Sequence, residues 1–130
     1  MSHRERWRTV GWTLAVGAAY DLVFGVAILG FTRPAASMLG LQVPGDPIYL
    51  YLCGVLLLLL AAIYAASSRD PARYRAIPPI AAFGRTLGFV LFVWAWTAEH
   101  PPVFLALGVA DLALGVATLT AWQRAVRLSD

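Results

Sequence analysis

The chain has 130 residues, of which 60% are hydrophobic and 13% charged, and its mean hydropathy is +0.70. A water-soluble domain is about half apolar and about a quarter charged, so a polar-surfaced globule is excluded. The formal charge is +3 and the pI about 9.5, but all ten basic residues are Arg and nine of them lie outside the apolar runs, which points to membrane topology and excludes nucleic acid as a partner.

Arg4, Arg6 and Arg8 precede an apolar run from about Thr9 to Phe31. The start resembles a signal peptide. The run exceeds an h-region of about 7–15 residues, however, and Asp21 interrupts it. It reads as an uncleaved first span, stopped by Thr32-Arg33-Pro34. Arg33 to Leu41 then predicts a short helix, with Pro34 at its start and Gly40 near its end, whose apolar residues lay it on the outer membrane surface. Val43-Pro44-Gly45-Asp46-Pro47 turns the chain back.

The second span runs from about Pro47 to Ser68 and stops at Arg69-Asp70-Pro71. Its unbroken Leu56–Leu60 stretch predicts a lipid-facing side, and Cys53 reads as a small buried hydrophobe. The third span covers about Ala76 to Ala98 and is closed by Glu99-His100-Pro101-Pro102. The fourth covers about Val103 to Trp122. Each is long enough to cross a hydrocarbon core of about 30 Å. The expectation is one all-α domain over residues 1–130: an integral membrane four-helix bundle, antiparallel and up-down, with a short interfacial helix between spans one and two.

The connections predict orientation. Arg4, Arg6, Arg8, Arg69, Arg73, Arg75, Arg124 and Arg127 fall on one side and Arg33 alone on the other, beside Asp46 and Glu99. Positive loops stay inside, so both termini are expected in the cytoplasm and the protein in the bacterial inner membrane. Trp7, Trp12, Tyr74 and Trp122 are expected at the inner interface. Phe31, Tyr49, Tyr51, Trp94, Trp96 and Phe104 are expected toward the outer one.

Asp21, Arg85 and Asp111 lie inside apolar runs, where an unpaired charge costs at least a few kcal/mol. At 1.5 Å per residue they sit about 18, 15 and 14 Å from the nearer span edge, so all three fall near the midplane. Small residues flank each at helical spacing: Gly17 and Gly25 around Asp21, Gly84 and Gly88 around Arg85, Gly108 and Gly115 around Asp111. Small faces let helices approach closely, so these positions predict helix–helix packing and inward charges. Two readings follow. Arg85 holds both carboxylates as a structural network, or the cluster binds a cation, proton or ligand. Asp21-Leu22-Val23-Phe24-Gly25-Val26-Ala27 also recurs as Asp111-Leu112-Ala113-Leu114-Gly115-Val116-Ala117, with five of seven positions matching, as an inverted repeat or as convergence on one packing need.

No spacing of His, Cys and carboxylates suits a metal, and neither a phosphate-cradling Gly loop nor a nucleophile–base pair is present. Glu99-His100 reads as a tight polar hairpin. Tyr20, Tyr49, Tyr51 and Tyr64 are candidates to line a pocket. No cofactor is expected, and the single cysteine excludes an internal disulfide.

Several short motifs occur in order: Phe31-x-x-Pro34, Leu39-Gly40-Leu41 with Pro44, Gly54, Arg69-Asp70-Pro71-x-Arg73, Gly84-Arg85-x-x-Gly88 and Asp111-Leu112. With them the chain resembles the small bacterial four-helix membrane proteins called DoxX-like, including the BphX-like branch. The resemblance implies a four-helix membrane bundle, with some members associated with membrane or oxidative redox systems, and it carries over no catalytic residue. The expected role is a non-enzymatic accessory or interaction subunit whose partners are the lipid bilayer and a membrane protein or a second copy of the chain. The alternative is a small carrier or binder of an apolar or protonatable ligand at the Asp/Arg cluster.

Overall fold

A computed structural model describes residues 2–98 and 100–128. It is all-helical, with five helices: α1 His3–Gly30, α2 Thr32–Leu39, α3 Ile48–Arg69, α4 Ile77–Thr97 and α5 Val103–Arg127. Four of them, α1, α3, α4 and α5, are long and apolar enough to cross a membrane.

The helix ends follow from local chemistry. Helix α1 begins six residues before the apolar run because Ser2 and Glu5 form a capping box: the Glu5 N–H donates to Ser2 Oγ at 3.3 Å and the Ser2 N–H to Glu5 Oε2 at 2.7 Å. The Ser2-x-x-Glu5 signature was therefore readable, and the arginine-rich lead is helical. Helix α2 carries Pro34 in its first turn and ends at Gly40, whose φ of 69° is the left-handed conformation that only glycine adopts without strain. Asp70 precedes Pro71, which disfavours the α region, so α3 stops there. Helix α5 continues past Trp122 because Ala125 is fully buried and prolongs its packing face.

Helix α1 is central. It packs on α3 along one side and on α5 along the other, and α4 packs on α5. The contact faces are made of small residues: Gly11, Gly17, Ala18 and Gly25 on α1, Gly54 and Ala61 on α3, Ala81 and Ala82 on α4, Gly108, Gly115, Ala121 and Ala125 on α5. Large apolar side chains point outward instead, among them Val23, Leu56, Leu59, Phe83, Leu91 and Val116. In water this would be inside-out. In lipid it is the expected arrangement, because close backbone approach rather than hydrophobic burial drives helix association.

One end of the bundle carries the beginning of α1, the α3–α4 turn and the end of α5. Trp7, Val10, Leu14, Tyr64, Ala81, Ala121 and Ala125 form its core. Arg6 Nη2 donates to the Leu128 carbonyl at 2.7 Å and Trp122 Nε1 to the Arg75 carbonyl at 3.0 Å. Trp7 is thus a core residue of this end, because the extended α1 carries it between the turn and the end of α5. Cys53 is likewise exposed, correcting the expectation of burial. Helix α3 has its packing face on α1, and at about 100° per residue Cys53 is turned away from Gly54, which occupies that face.

Candidate functional site

Arg85 on α4, Asp21 on α1 and Asp111 on α5 meet in the bundle. Arg85 Nη1 donates to Asp21 Oδ1 at 2.8 Å and to Asp111 Oδ1 at 3.0 Å. Both contacts are ion pairs, with side-chain exposures of 11% for Arg85, 1% for Asp21 and 11% for Asp111. Arg85 Nη2 donates to the Gly17 carbonyl at 3.2 Å. One guanidinium therefore ties α4 to both α1 and α5, and it reaches α1 by its side chain where the closest backbone packing of α4 is with α5.

Three glycines make room for it, one from each helix. A Cβ on Gly17 would lie 3.3 Å from Arg85 Nη2. One on Gly88 would lie 2.7 Å from Asp111 Oδ2, and one on Gly115 would lie 3.0 Å from Arg85 Cβ. The small-residue spacing is thus a cradle for the ion cluster as well as a packing device. Gly25 and Gly108 serve packing alone. A Cβ on Gly25 would strike Leu58 at 2.8 Å, and one on Gly108 would come within 3.1 Å of Phe92.

Gly84 is the exception and corrects its assignment to helix packing. It is exposed, with no atom within 4 Å of an added Cβ. The reason is rotational. Ala81, Arg85 and Gly88 face the bundle with Ala82 beside them, and Gly84 lies about 100° back around the helix from Arg85. Gly88 lies only about 40° nearer to Arg85 around the helix, yet that turn carries it from the open side to the edge of the packed face.

Two aromatic rings complete the site. Arg85 Cζ lies 5.3 Å from the centroid of Tyr20 and 5.8 Å from that of Tyr64. Rings at this distance attract a guanidinium through their quadrupole, more strongly where water is excluded. The other tyrosines named as pocket candidates, Tyr49 and Tyr51, are exposed at the far end of α3. The cation–π role of Tyr20 was legible only from its place beside Asp21, and that of Tyr64 not at all.

Two carboxylates against one guanidinium leave a formal charge of −1 if all three are ionised. Both carboxylates share a single nitrogen of Arg85, and Asp21 Oδ2 is buried without a hydrogen-bond partner. The arrangement can fix the register of three helices, and it retains one unused acceptor. Glu99 lies outside the described residues; the His100 Nδ1 sits 2.8 Å from the Ala95 carbonyl and so carries its proton there. Among the described residues no three His, Cys, Asp or Glu side chains group to hold a metal. In comparisons with protein-family models, curated proteins and solved structures, none matches this chain.

Proposed function

We propose that the protein is an integral inner-membrane protein of the DoxX-like kind, an antiparallel up-down bundle with α2 on the outer surface and both termini in the cytoplasm. In this reading it serves as a non-enzymatic accessory or interaction subunit of a membrane system, of the redox kind that the resemblance implies. The observation that carries the role is that the mid-span charges engage one another: Arg85 holds Asp21, Asp111 and the Gly17 carbonyl, joining α1, α4 and α5. A buried ion pair adds little net stability over apolar residues of the same volume, and its best-attested use is to fix one arrangement. The outward apolar faces of α3 and α4 are then the surfaces left for lipid and for a neighbour. The arginine bias of the connections supports the orientation.

One experiment tests the role. The variant Asp21→Leu/Arg85→Leu/Asp111→Leu removes the cluster as a set. Extracted from the membrane in mild detergent, wild type and variant are expected to migrate together on native electrophoresis, in a complex well above the 14.1 kDa of one chain. A wild type that migrates as a lone chain would overturn the interaction role. The carrier reading is favoured by one observation, the unpartnered Asp21 Oδ2. It predicts that a folded Asp21→Asn variant loses a ligand that the wild type retains on purification.

A further inference from the structure

At the end of the bundle that carries the termini, a cleft of about 590 Å³ opens between the start of α1 and the turn after α3. Arg4, Arg8 and Arg69 line it against one carboxylate, Asp70. Three positive charges less one negative give +2, with His3 taken as neutral. Asp70 is occupied by its own turn, its Oδ1 accepting from the Arg73 N–H at 3.2 Å. Both ion pairs among the described residues belong to Arg85, so none of the three cleft arginines is engaged in one.

Trp7 also lines the cleft, 4% exposed, its ring held by Arg75, whose Cζ stands 5.2 Å over it. What the cleft offers a ligand is therefore guanidinium, which recognises phosphate.

The shape of the cleft points to the source of that phosphate. Along α1 its wall runs from His3 to Ala15, about 18 Å at 1.5 Å per residue. The charged residues come first; Trp12, 66% exposed, and Ala15 follow, and exposed Val16 continues the line into the apolar span. A free anion uses only the first part. A phospholipid uses both, its headgroup among the arginines and an acyl chain along α1. Basic pockets between spans at the membrane surface take anionic headgroups in this way.

We infer that this cleft binds the headgroup phosphate of an anionic phospholipid, with Arg4, Arg8 and Arg69 neutralising it. The inference rests on the membrane reading, so the experiment begins there. Purified full-length protein is reconstituted into phosphatidylcholine vesicles, with and without phosphatidylglycerol, and floated on a gradient. Failure to float with either would overturn the membrane reading itself. Protein extracted from the mixed vesicles is then examined by native mass spectrometry for retained lipid. The wild type is expected to keep phosphatidylglycerol over phosphatidylcholine. Each of Arg4→Gln, Arg8→Gln and Arg69→Gln is expected to reduce that preference about fivefold. Equal retention of the two lipids by folded wild type overturns the inference, as does a preference untouched by the arginine variants. Displacement of the lipid by inorganic phosphate alone would overturn the lipid assignment in favour of a soluble anion.

Discussion

The charged layer around Arg85 and the terminal end both use arginine, and they use it in opposite ways. Arg85 gives hydrogen bonds to two carboxylates and a backbone carbonyl, and its Cζ lies 5.3 and 5.8 Å from two tyrosine rings. Arg4, Arg8 and Arg69 are in no ion pair among the described residues and line an open cleft. On the membrane reading proposed above, the difference is one of solvent. In hydrocarbon a guanidinium without partners is prohibitive, so the fold builds partners for it. At the headgroup level water and phosphate are at hand, and the fold leaves the arginines free to meet them. One residue type is thus an internal fastener at one depth and a point of contact with the surroundings at another.

The largest expected effect comes from breaking the fastener on one side. Arg85→Leu strands two carboxylates in the bundle and should destabilise the detergent-solubilised protein by about 3–5 kcal/mol, read from unfolding titrations. Asp21→Leu/Arg85→Leu/Asp111→Leu removes all the charge and should recover most of that loss. A triple variant no better than the single one would show that the cluster contributes more than the pairing of its own charges.

The next effect belongs to the terminal end and has nothing to do with charge. A Cβ on Gly11 would lie 2.6 Å from the Ser68 carbonyl oxygen, a backbone atom that cannot swing aside. Gly11→Ala should therefore part α1 from α3 and cost about 1–3 kcal/mol. Asp21→Asn should cost less, about 1 kcal/mol. Its carbonyl still accepts from Arg85, and the remaining Arg85–Asp111 pair is neutral overall. A loss as large as that of Arg85→Leu would mean that the second carboxylate charge is itself required.

How much of this was legible follows from the same physics. Span limits were readable because Pro, Arg and Asp punctuate the apolar runs, and the four long helices fall within a few residues of the expected places, apart from the extended ends of α1 and α5. Asp21, Arg85 and Asp111 could be singled out because nothing else in their runs carries a charge at neutral pH. Rotation about each helix axis was not readable. In a soluble helix the apolar stripe marks the inside, but in a membrane span lipid and interior are equally apolar. Gly84 and Cys53 were misplaced for that reason: each was assigned from its type, and its burial is set by which way its helix turns. The cleft at Trp7 was invisible for a second reason, since it joins the start of α1 to the turn after α3, more than fifty residues on.

Charge removal at the terminal end should barely register on stability. Arg4→Gln/Arg8→Gln/Arg69→Gln takes away three charges where Arg85→Leu takes one, yet no described ion pair is broken. Unfolding in detergent should match wild type. The change should appear in topology instead, as a larger fraction of molecules whose reporter fusion after Arg73 lies outside, because the inward bias weakens. A marked loss of stability would show that these arginines hold the bundle and are not reserved for its surroundings.

The smallest effect returns to the charged layer, one residue from Arg85. Gly84 faces outward with open space beyond it. Gly84→Ala adds a methyl that meets nothing, and alanine favours the helix by up to about 1 kcal/mol over glycine. In the purified protein the substitution should be neutral or slightly stabilising. Gly88→Ala on the same helix should be plainly destabilising, since its methyl would overlap Asp111 Oδ2. The pair separates the inner face of the layer from its outer face, which GxxxG spacing alone could not do. The informative variant is then Gly84→Leu. If a neighbouring helix seats against α4, the bulky side chain should leave the isolated chain intact and shift the native complex to lower mass, because the close approach that a bare glycine permits would be lost. If the face meets only lipid, neither stability nor complex mass should change, and the interaction surface must be sought on the outward side of α3.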